Sequence, residues 1–175
     1  MRPKHHTIEN SIPVNAPAET VWPHITNVDI ASFQHPLYFT LLGIPKPLHA
    51  QVAEPGVGGV RTAYFSNGLR FSQRITDWQP FERYAFTFHP DPGFRVAHIL
   101  DLAGGPFRMK AGAYRITPGP VGVRLSLSSQ YELGGLAGWC LWLPVRLVLK
   151  LFQRYLLRGI KANAERQAAN GGGHA

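Results

Sequence analysis

The sequence contains a single cysteine and comparatively few charged residues. Cys140 has no second thiol to pair with, which excludes an internal disulfide and favours a reducing compartment. Charged residues make up 16% of the 175 residues and apolar residues 45%, a balance typical of one folded domain with a substantial core. The first ten residues lack the apolar segment of a signal peptide. We therefore expect a cytoplasmic protein.

Motifs for catalysis and metal binding are also missing from the sequence. The eight histidines show no HExxH or other compact ligand spacing, so we expect no metal and no cofactor. No serine or cysteine nucleophile motif is present, and Cys140 lies in the apolar stretch GWCLWLP, where a thiol tends to be inert. The stretch GVGGV at residues 56–60 lacks the Lys-Ser/Thr of a phosphate-binding loop.

The net charge of +8 raises the question of nucleic-acid binding. Basic residues are scattered until the last third of the chain, where they recur every four residues at Arg146, Lys150, Arg154 and Arg158, with Lys161 close behind. No zinc-finger spacing, RNP-like aromatic motif or helix-turn-helix pattern accompanies them. The charge therefore belongs mostly to one helix face, and we expect no nucleic-acid partner.

The first third of the chain predicts one strand followed by two short helices. Residues 6–14 alternate between apolar and polar, as a half-buried strand does. Asn15 is a candidate N-cap for a helix that Pro17 helps to begin. The apolar and aromatic residues 30–42 predict a second short helix with a loop.

The middle of the chain predicts about six strands joined by tight turns. Asn67-Gly68 is typical of a type I′ hairpin, and TPGPVG at residues 117–122 marks a later turn. Residues 92–106 support no prediction of strand, helix or flap. From about residue 138 to residue 169 the pattern predicts one long helix, with Pro144 as its kink or its start. The Gly-rich residues 170–175 predict a flexible tail.

A sheet with one apolar face must be covered, and only the C-terminal helix is long enough to cover it. With that order of elements, the motifs IPVNAPAETVWPHITNVD, GVGGVRTAYFSNGLRFSQRITDWQP and AYRITPGPVGVRLSLSSQYEL resemble the START-like, or SRPBCC, superfamily. That superfamily includes Bet v 1-type allergens, START lipid carriers and polyketide cyclase/dehydrase-like proteins. The resemblance implies an α+β helix-grip fold: a curved antiparallel sheet of about seven strands wrapped on the long helix, with two short helices after the first strand. It implies a single domain over residues 1–169 and a cavity between helix and sheet.

Several residues are candidates for the cavity wall. Phe71, Gln73 and Ile75 share one face of their strand by alternation. The resemblance places Gln73 inside, where some relatives carry an acid; an amide can orient a hydroxyl or carbonyl but cannot act as a general base. The other candidates, each of which could equally well fill core, are Tyr64, Phe86, Phe88, Met109, Tyr131, Leu151 and Tyr155.

Only weak catalytic candidates are present. His98 and Asp101 in AHILD would share a face as a His-carboxylate pair if the segment were helical, whereas in a strand they would point to opposite faces. Tyr64 is the third candidate.

Two functions remain open. The protein would be a carrier or binding protein for a lipid-like or polycyclic molecule, or an enzyme resembling polyketide cyclases or dehydratases that acts in the same cavity. A further alternative concerns the apolar start of the last helix, whose tryptophans Trp139 and Trp142 and basic stripe would suit peripheral contact with an anionic membrane surface. We favour the interpretation in which these tryptophans close the cavity mouth or form a dimer contact.

Overall fold

The computed structural model describes residues 4–96, 100–101 and 105–171, without the side chains of residues 96, 100 and 136–139. A curved antiparallel sheet and a long C-terminal helix form an α+β helix-grip fold, as predicted. The helices are α1 (Ala18–Thr26), α2 (Leu37–Leu41) and α3 (Gly135–Gly171). The strands are β1 (Lys4–Val14), β2 (Val28–Asp29), β3 (Pro47–Val52), β4 (Val60–Phe65), β5 (Arg70–Gln79), β6 (Arg83–Pro90), β7 (Arg95–Val96), β8 (Leu100–Asp101), β9 (Phe107–Pro118) and β10 (Val123–Leu133).

The main sheet has eight strands in the order β1-β10-β9-β6-β5-β4-β3-β2, where about seven were expected. The additional strand is β2, whose two residues pair with β3 and are too short to show alternation. Strand β1 stands at one edge and pairs with β10 along its whole length, from Lys4 opposite Leu133 to Val14 opposite Val123. Strands β7 and β8 form a separate two-stranded ribbon.

One local prediction near the N-terminus, the N-cap of the first helix, is corrected, whereas the second short helix with its loop is confirmed. Helix α1 begins after Pro17, and the backbone N–H of Asn15 donates 2.7 Å to Glu165 Oε1, so Asn15 is not the N-cap. Within residues 30–42, where a short helix with a loop was predicted, helix α2 covers residues 37–41 and the loop precedes it. Because Ile30 lies in the core and accepts the backbone N–H of Phe33 in a turn, the earlier part of this segment does not form a helix.

The hairpin between β4 and β5 is confirmed, whereas its predicted turn type is wrong. Gly68 has a positive φ of 79°, but Asn67 does not, and a type I′ turn needs both. The backbone N–H of Phe65 donates to the carbonyl of Leu69, which closes a three-residue loop with glycine in the left-handed position.

Helix α3 is longer than predicted at both ends. It begins at Gly135, runs through Pro144 and ends at Gly171, so Pro144 is not its start. The division into a domain at residues 1–169 and a tail at 170–175 stays a prediction, although α3 includes the first two residues of that tail. The basic residues of the stripe are exposed except Lys161, which donates to the Pro13 carbonyl and to Glu165.

The core consists of two apolar clusters beneath α3. One lies under its C-terminal half, where Leu157, Ile160 and Ala164 are buried against the sheet and α1. The other lies under its N-terminal half and includes Val145 and Phe152. A cavity remains where the two clusters meet.

Candidate functional site

The cavity lies between the concave face of the sheet and α3. Its volume is about 260 Å³, and its wall is overwhelmingly apolar. One face of α3 forms the roof of the cavity, because its lining residues recur at helical spacing: Leu141, Pro144, Val145, Val148, Leu149, Phe152, Gln153 and Leu156. A helix that presents this stripe to a sheet without filling the space below it creates a preformed apolar pocket.

The cavity opens to solvent on the side of α2. Three of its lining residues are exposed, namely Leu42 at the end of α2, Tyr64 on β4 and Pro144 in α3. The ring of Tyr64 stacks on that of its cross-strand neighbour His49, with centroids 4.7 Å apart. These residues define the mouth of the cavity.

Arg61 is the charged residue of the cavity wall, and it is only 4% exposed. Its Nε donates 3.0 Å to the carbonyl of Thr26, and Nη2 donates 3.2 Å to the carbonyl of Ile25. Both carbonyls lie at the C-terminal end of α1, where the helix dipole is negative and favours a cation. Nη1 donates 2.7 Å to Oε1 of Gln73, the residue opposite Arg61 on β5.

Two buried phenols adjoin this guanidinium. Burial raises the pKa of both Tyr84 and Tyr114, while the nearby Arg61 charge acts in the opposite direction and lowers the pKa less than burial raises it. The Arg61 guanidinium carbon lies 5.8 Å from the centroid of the Tyr84 ring. Both phenols therefore stay protonated at physiological pH and can donate a hydrogen bond.

A second polar group lies in the roof. Gln153 of α3 is 2% exposed, and its Nε2 donates 2.8 Å to Ser129 Oγ and 3.4 Å to the carbonyl of Ile8. Its Oε1 accepts from Asn10 Nδ2 at 2.6 Å. Gln153 and Ser129 also line the cavity, so this network both fixes the helix and contributes polar surface.

Six of the ten predicted ligand contacts line the cavity: Tyr64, Phe71, Gln73, Phe86, Phe88 and Met109. Their contact with a ligand stays a prediction. The other four predicted residues lie outside the lining and are placed differently from our expectation: Ile75, Tyr131, Leu151 and Tyr155.

Packing explains these placements. Ile75 is 1% exposed and belongs to the core cluster under the C-terminal half of α3. Tyr131 stacks on His6 with ring centroids 5.3 Å apart, next to an irregularity in the β9–β10 register. Tyr155 turns toward α2, where its ring lies 5.7 Å from that of Phe39. Leu151 lies beside the lining stripe of α3.

The catalytic candidates are not brought together in the described structure. A His98–Asp101 pair requires both residues to lie on one face of a helix. Asp101 instead lies in strand β8, opposite Arg95. His98 lies outside the described residues. Tyr64 is 36% exposed at the mouth, and its catalytic assignment stays a prediction.

Sequence reasoning missed the polar lining residues Arg61, Tyr114, Ser129 and Gln153, of which Arg61 is the charged one. Alternation along β4 places Arg61 on the same face as Phe65, which is a core residue. A basic residue at an inward position, opposite an inward Gln73, is the signal that could have identified it.

Within the part of the chain that the structure describes, no three His, Cys, Asp or Glu side chains are grouped as metal ligands. None of the described helices contains a stretch that is long and apolar enough to span a bilayer.

The family is shown by comparison with known proteins. Residues 5–165 match the family described as "Polyketide cyclase / dehydrase and lipid transport", so the chain belongs to this family. The predicted START-like, SRPBCC-type membership is thereby confirmed. No curated protein matches the chain by sequence.

Solved structures show the same fold at low sequence identity. Ara h 8.0201, a Bet v 1 relative, is 16% identical with a TM-score of 0.58, over 92% of this chain and 98% of that one. MLL2253 from Mesorhizobium loti is 16% identical with a TM-score of 0.55, over 92% and 98%. CV1439 from Chromobacterium violaceum is 20% identical with a TM-score of 0.54, over 91% and 97%. Family and fold together support a hydrophobic ligand-binding fold.

Proposed function

We propose that the protein is a carrier or binding protein for a lipid-like or polycyclic molecule, which it holds between the sheet and α3. The main support for this proposal is the apolar cavity of about 260 Å³, which is just below the usual size range of small-molecule sites. A ligand that fills it would bury most of its apolar surface, which stabilises a complex by roughly 25 cal/mol per Å² before the cost of association.

The roof of the cavity is held in place without a ligand. Gln153 ties the middle of α3 to β1 and β10, and the carbonyl of Pro13 accepts from Lys161 further along the helix. The C-terminal half of α3 is buried on its own core cluster. Because these contacts fix the helix above the sheet, they support a pocket that exists before binding rather than one that forms around a ligand.

The test is native mass spectrometry of the freshly purified protein, followed by titration with apolar ligands of graded size. We expect a co-purifying apolar adduct that leaves on denaturation, or saturable binding of an added ligand. Ala63→Phe would fill the cavity from β4 and abolish binding, because Ala63 is part of the wall. The matched control is Thr62→Phe, which adds the same bulk at a neighbouring position outside the lining. Equal binding by the two variants, or no binding by the wild type, would overturn the proposal.

A cytoplasmic carrier must load and release its ligand, and the residues around the cavity mouth form an exposed apolar surface where this exchange could take place. Leu37 and Leu41 of α2 are 79% and 83% exposed, and Leu143 and Leu147 of α3 are 64% and 56% exposed. The exposed cations Arg146 and Lys150 lie on the same part of α3. Apolar side chains flanked by cations suit peripheral contact with an anionic membrane, and we propose such contact at the mouth.

A cyclase- or dehydratase-like enzyme is the second candidate, and the stacked pair of His49 and Tyr64 at the mouth favours it. An imidazole and a phenol are both groups that can transfer protons to a bound chain. Under this alternative, Tyr64→Phe abolishes turnover of a polyketide-type substrate while its binding is retained. If the protein is a carrier, the wild type already shows no turnover of such a substrate.

A further inference from the structure

We propose that the ligand carries an anionic oxygen, in its simplest form a carboxylate, which binds Arg61 and Gln73 at the inner end of the cavity. This inference rests on the proposed function, because it assigns the chemical class of the molecule that the cavity would hold.

The first observation is a buried cation without a carboxylate partner. All ten acidic side chains lie within the described residues, and none of the ion pairs found there includes Arg61. The acceptors that Arg61 does have are neutral: the carbonyls of Ile25 and Thr26 and the amide oxygen of Gln73, with the phenol groups of Tyr84 and Tyr114 also lying against the guanidinium. These are dipoles rather than charges, and a buried guanidinium is stabilised far more by an anion than by neutral acceptors.

The second observation is an amide donor that faces the same space. Gln73 is 4% exposed and lines the cavity, and its Oε1 is occupied by Arg61. Its Nε2 donates to no acceptor within the described part of the chain. The orientation of the amide follows from chemistry, because a guanidinium has no lone pair and can only face the oxygen of Gln73. The NH₂ group is therefore left for another acceptor.

The donors of this end of the cavity outnumber the acceptors. The guanidinium has five N–H bonds, of which three donate to Ile25, Thr26 and Gln73, and it also lies against the phenols of Tyr84 and Tyr114, which are themselves donors. Tyr114 adds a protonated phenol to the same wall. A ligand group that accepts several hydrogen bonds and carries negative charge complements such a set, whereas an alcohol or a hydrocarbon end does not.

The position of the donors indicates how the ligand lies. Arg61 is buried beside the C-terminal end of α1, while Leu42, Tyr64 and Pro144 are exposed at the mouth. Between these ends the wall is apolar apart from Ser129 and Gln153, whose side chains are hydrogen-bonded to each other. An amphipathic molecule would therefore enter with its anionic oxygen first and leave its apolar body under α3.

The experiment compares three probes of equal chain length against the wild-type protein: decanoate, methyl decanoate and decan-1-ol. Isothermal titration calorimetry near neutral pH measures each affinity. Because hydrogen bonds to charged groups are stronger than neutral ones, decanoate should bind about 10–100-fold more tightly than the ester or the alcohol. The ester retains a carbonyl acceptor without charge, so it separates anion recognition from ordinary hydrogen bonding.

A variant supplies the missing anion from the protein itself. Gln73→Glu keeps the size of the side chain and places a carboxylate beside Arg61, so it should remove the preference for decanoate over methyl decanoate. The same change should raise the melting temperature of the ligand-free protein, because the guanidinium gains a charged acceptor. Arg74→Gln on β5 is the matched control, since Arg74 is exposed and outside the lining, and it should leave the preference unchanged.

The outcomes separate the two proposals. Equal affinities for the three probes, or a preference that survives Gln73→Glu, would overturn anion recognition and leave the hydrophobic binding function standing. Absence of binding by all three probes, together with a clean native mass, would overturn both.

Discussion

Gln153 Oε1 accepts a hydrogen bond of 2.6 Å from Asn10 Nδ2, a side chain 143 residues earlier in the chain. Through this bond and its donation to Ser129, the amide connects α3 to both β1 and β10. A single buried side chain thus holds the roof of the cavity over the two strands at one edge of the sheet.

Gln153→Ala should reduce the free energy of unfolding by about 1–3 kcal/mol, because Asn10 and Ser129 lose their partner in a buried setting. Chemical denaturation monitored by circular dichroism measures the effect. Gln130→Ala is the control, since Gln130 is exposed on β10 next to Ser129, and it should change stability by less than about 0.5 kcal/mol. Similar losses in the two variants would contradict the structural role of Gln153.

Gly159→Ala should also destabilise the protein, although alanine is the better helix former. A Cβ on Gly159 would lie 2.7 Å from Ile30 Cγ2, and Ile30 is 1% exposed. Overpacking costs about 1–3 kcal/mol, against a gain of up to about 1 kcal/mol in helix propensity, so we expect a net loss of about 1 kcal/mol.

Gly171→Ala is the matched control in the same helix, because nothing lies within 4 Å of its added Cβ. It should leave the melting temperature unchanged or raise it slightly. If Gly159→Ala raised the melting temperature as much as Gly171→Ala does, the contact with Ile30 would impose no constraint.

Glu165 should make stability depend on pH in the acid range. The side chain of Lys161 and then the backbone N–H of Asn15 hold the pKa of Glu165 below its ordinary value of 4.5. Because the native pKa is lowered, the stabilisation is present above the ordinary pKa and disappears as the pH falls through the native value. Glu165→Gln should therefore destabilise the protein at pH 7, by no more than about 1 kcal/mol for a partly exposed pair, and less in strong acid.

Melting curves of the wild type and Glu165→Gln between pH 7 and pH 3 measure this difference. Glu9→Gln, an exposed position on β1, serves as the control and should leave the melting temperature unchanged at pH 7. A gap between wild type and Glu165→Gln that stays constant over the whole range would contradict the assignment.

Membrane contact predicts selective effects at the mouth. In flotation with phosphatidylserine-containing vesicles, the double variant Leu143→Ser/Leu147→Ser should lose most of the bound fraction, because both exposed leucines lie on α3 beside Arg146. The control is the double variant Val57→Ser/Val121→Ser, which changes two apolar side chains that are 70% and 65% exposed and lie outside α3. It should bind the vesicles as the wild type does. Wild-type binding should also fall as salt is raised. Flotation that is equal for both double variants would place the contact elsewhere.

Local patterns predicted the fold because each element depends on neighbours in sequence. Alternation identified β1 and β5, and Asn67-Gly68 located the hairpin. The two-residue strands β2, β7 and β8 have no period to detect, so the eighth strand and the small ribbon were missed. The turn type was predicted wrongly because an Asn-Gly pair is compatible with both two-residue and three-residue loops.

The site was only partly predictable because its polar end depends on contacts between distant elements. Gln73 was placed inward by resemblance, but its partner Arg61 is buried only because the end of α1 provides carbonyls at Ile25 and Thr26. Tyr155 was expected over the cavity by helical spacing, and it instead packs on Phe39 of α2. Which face of α3 meets α2 and which meets the cavity is a property of the assembled fold.

The pairing of β1 with β10 has a consequence for the order in which the protein can assemble. Residues 4–14 leave the ribosome long before their partner strand, which ends at Leu133, and the helix that covers both follows that strand. The hairpin of β4 and β5 can close as soon as it is made, whereas the first strand waits for almost the whole chain. During that interval the apolar inner face that later lines the cavity has no roof, so the growing chain exposes an aggregation-prone surface until α3 has been made.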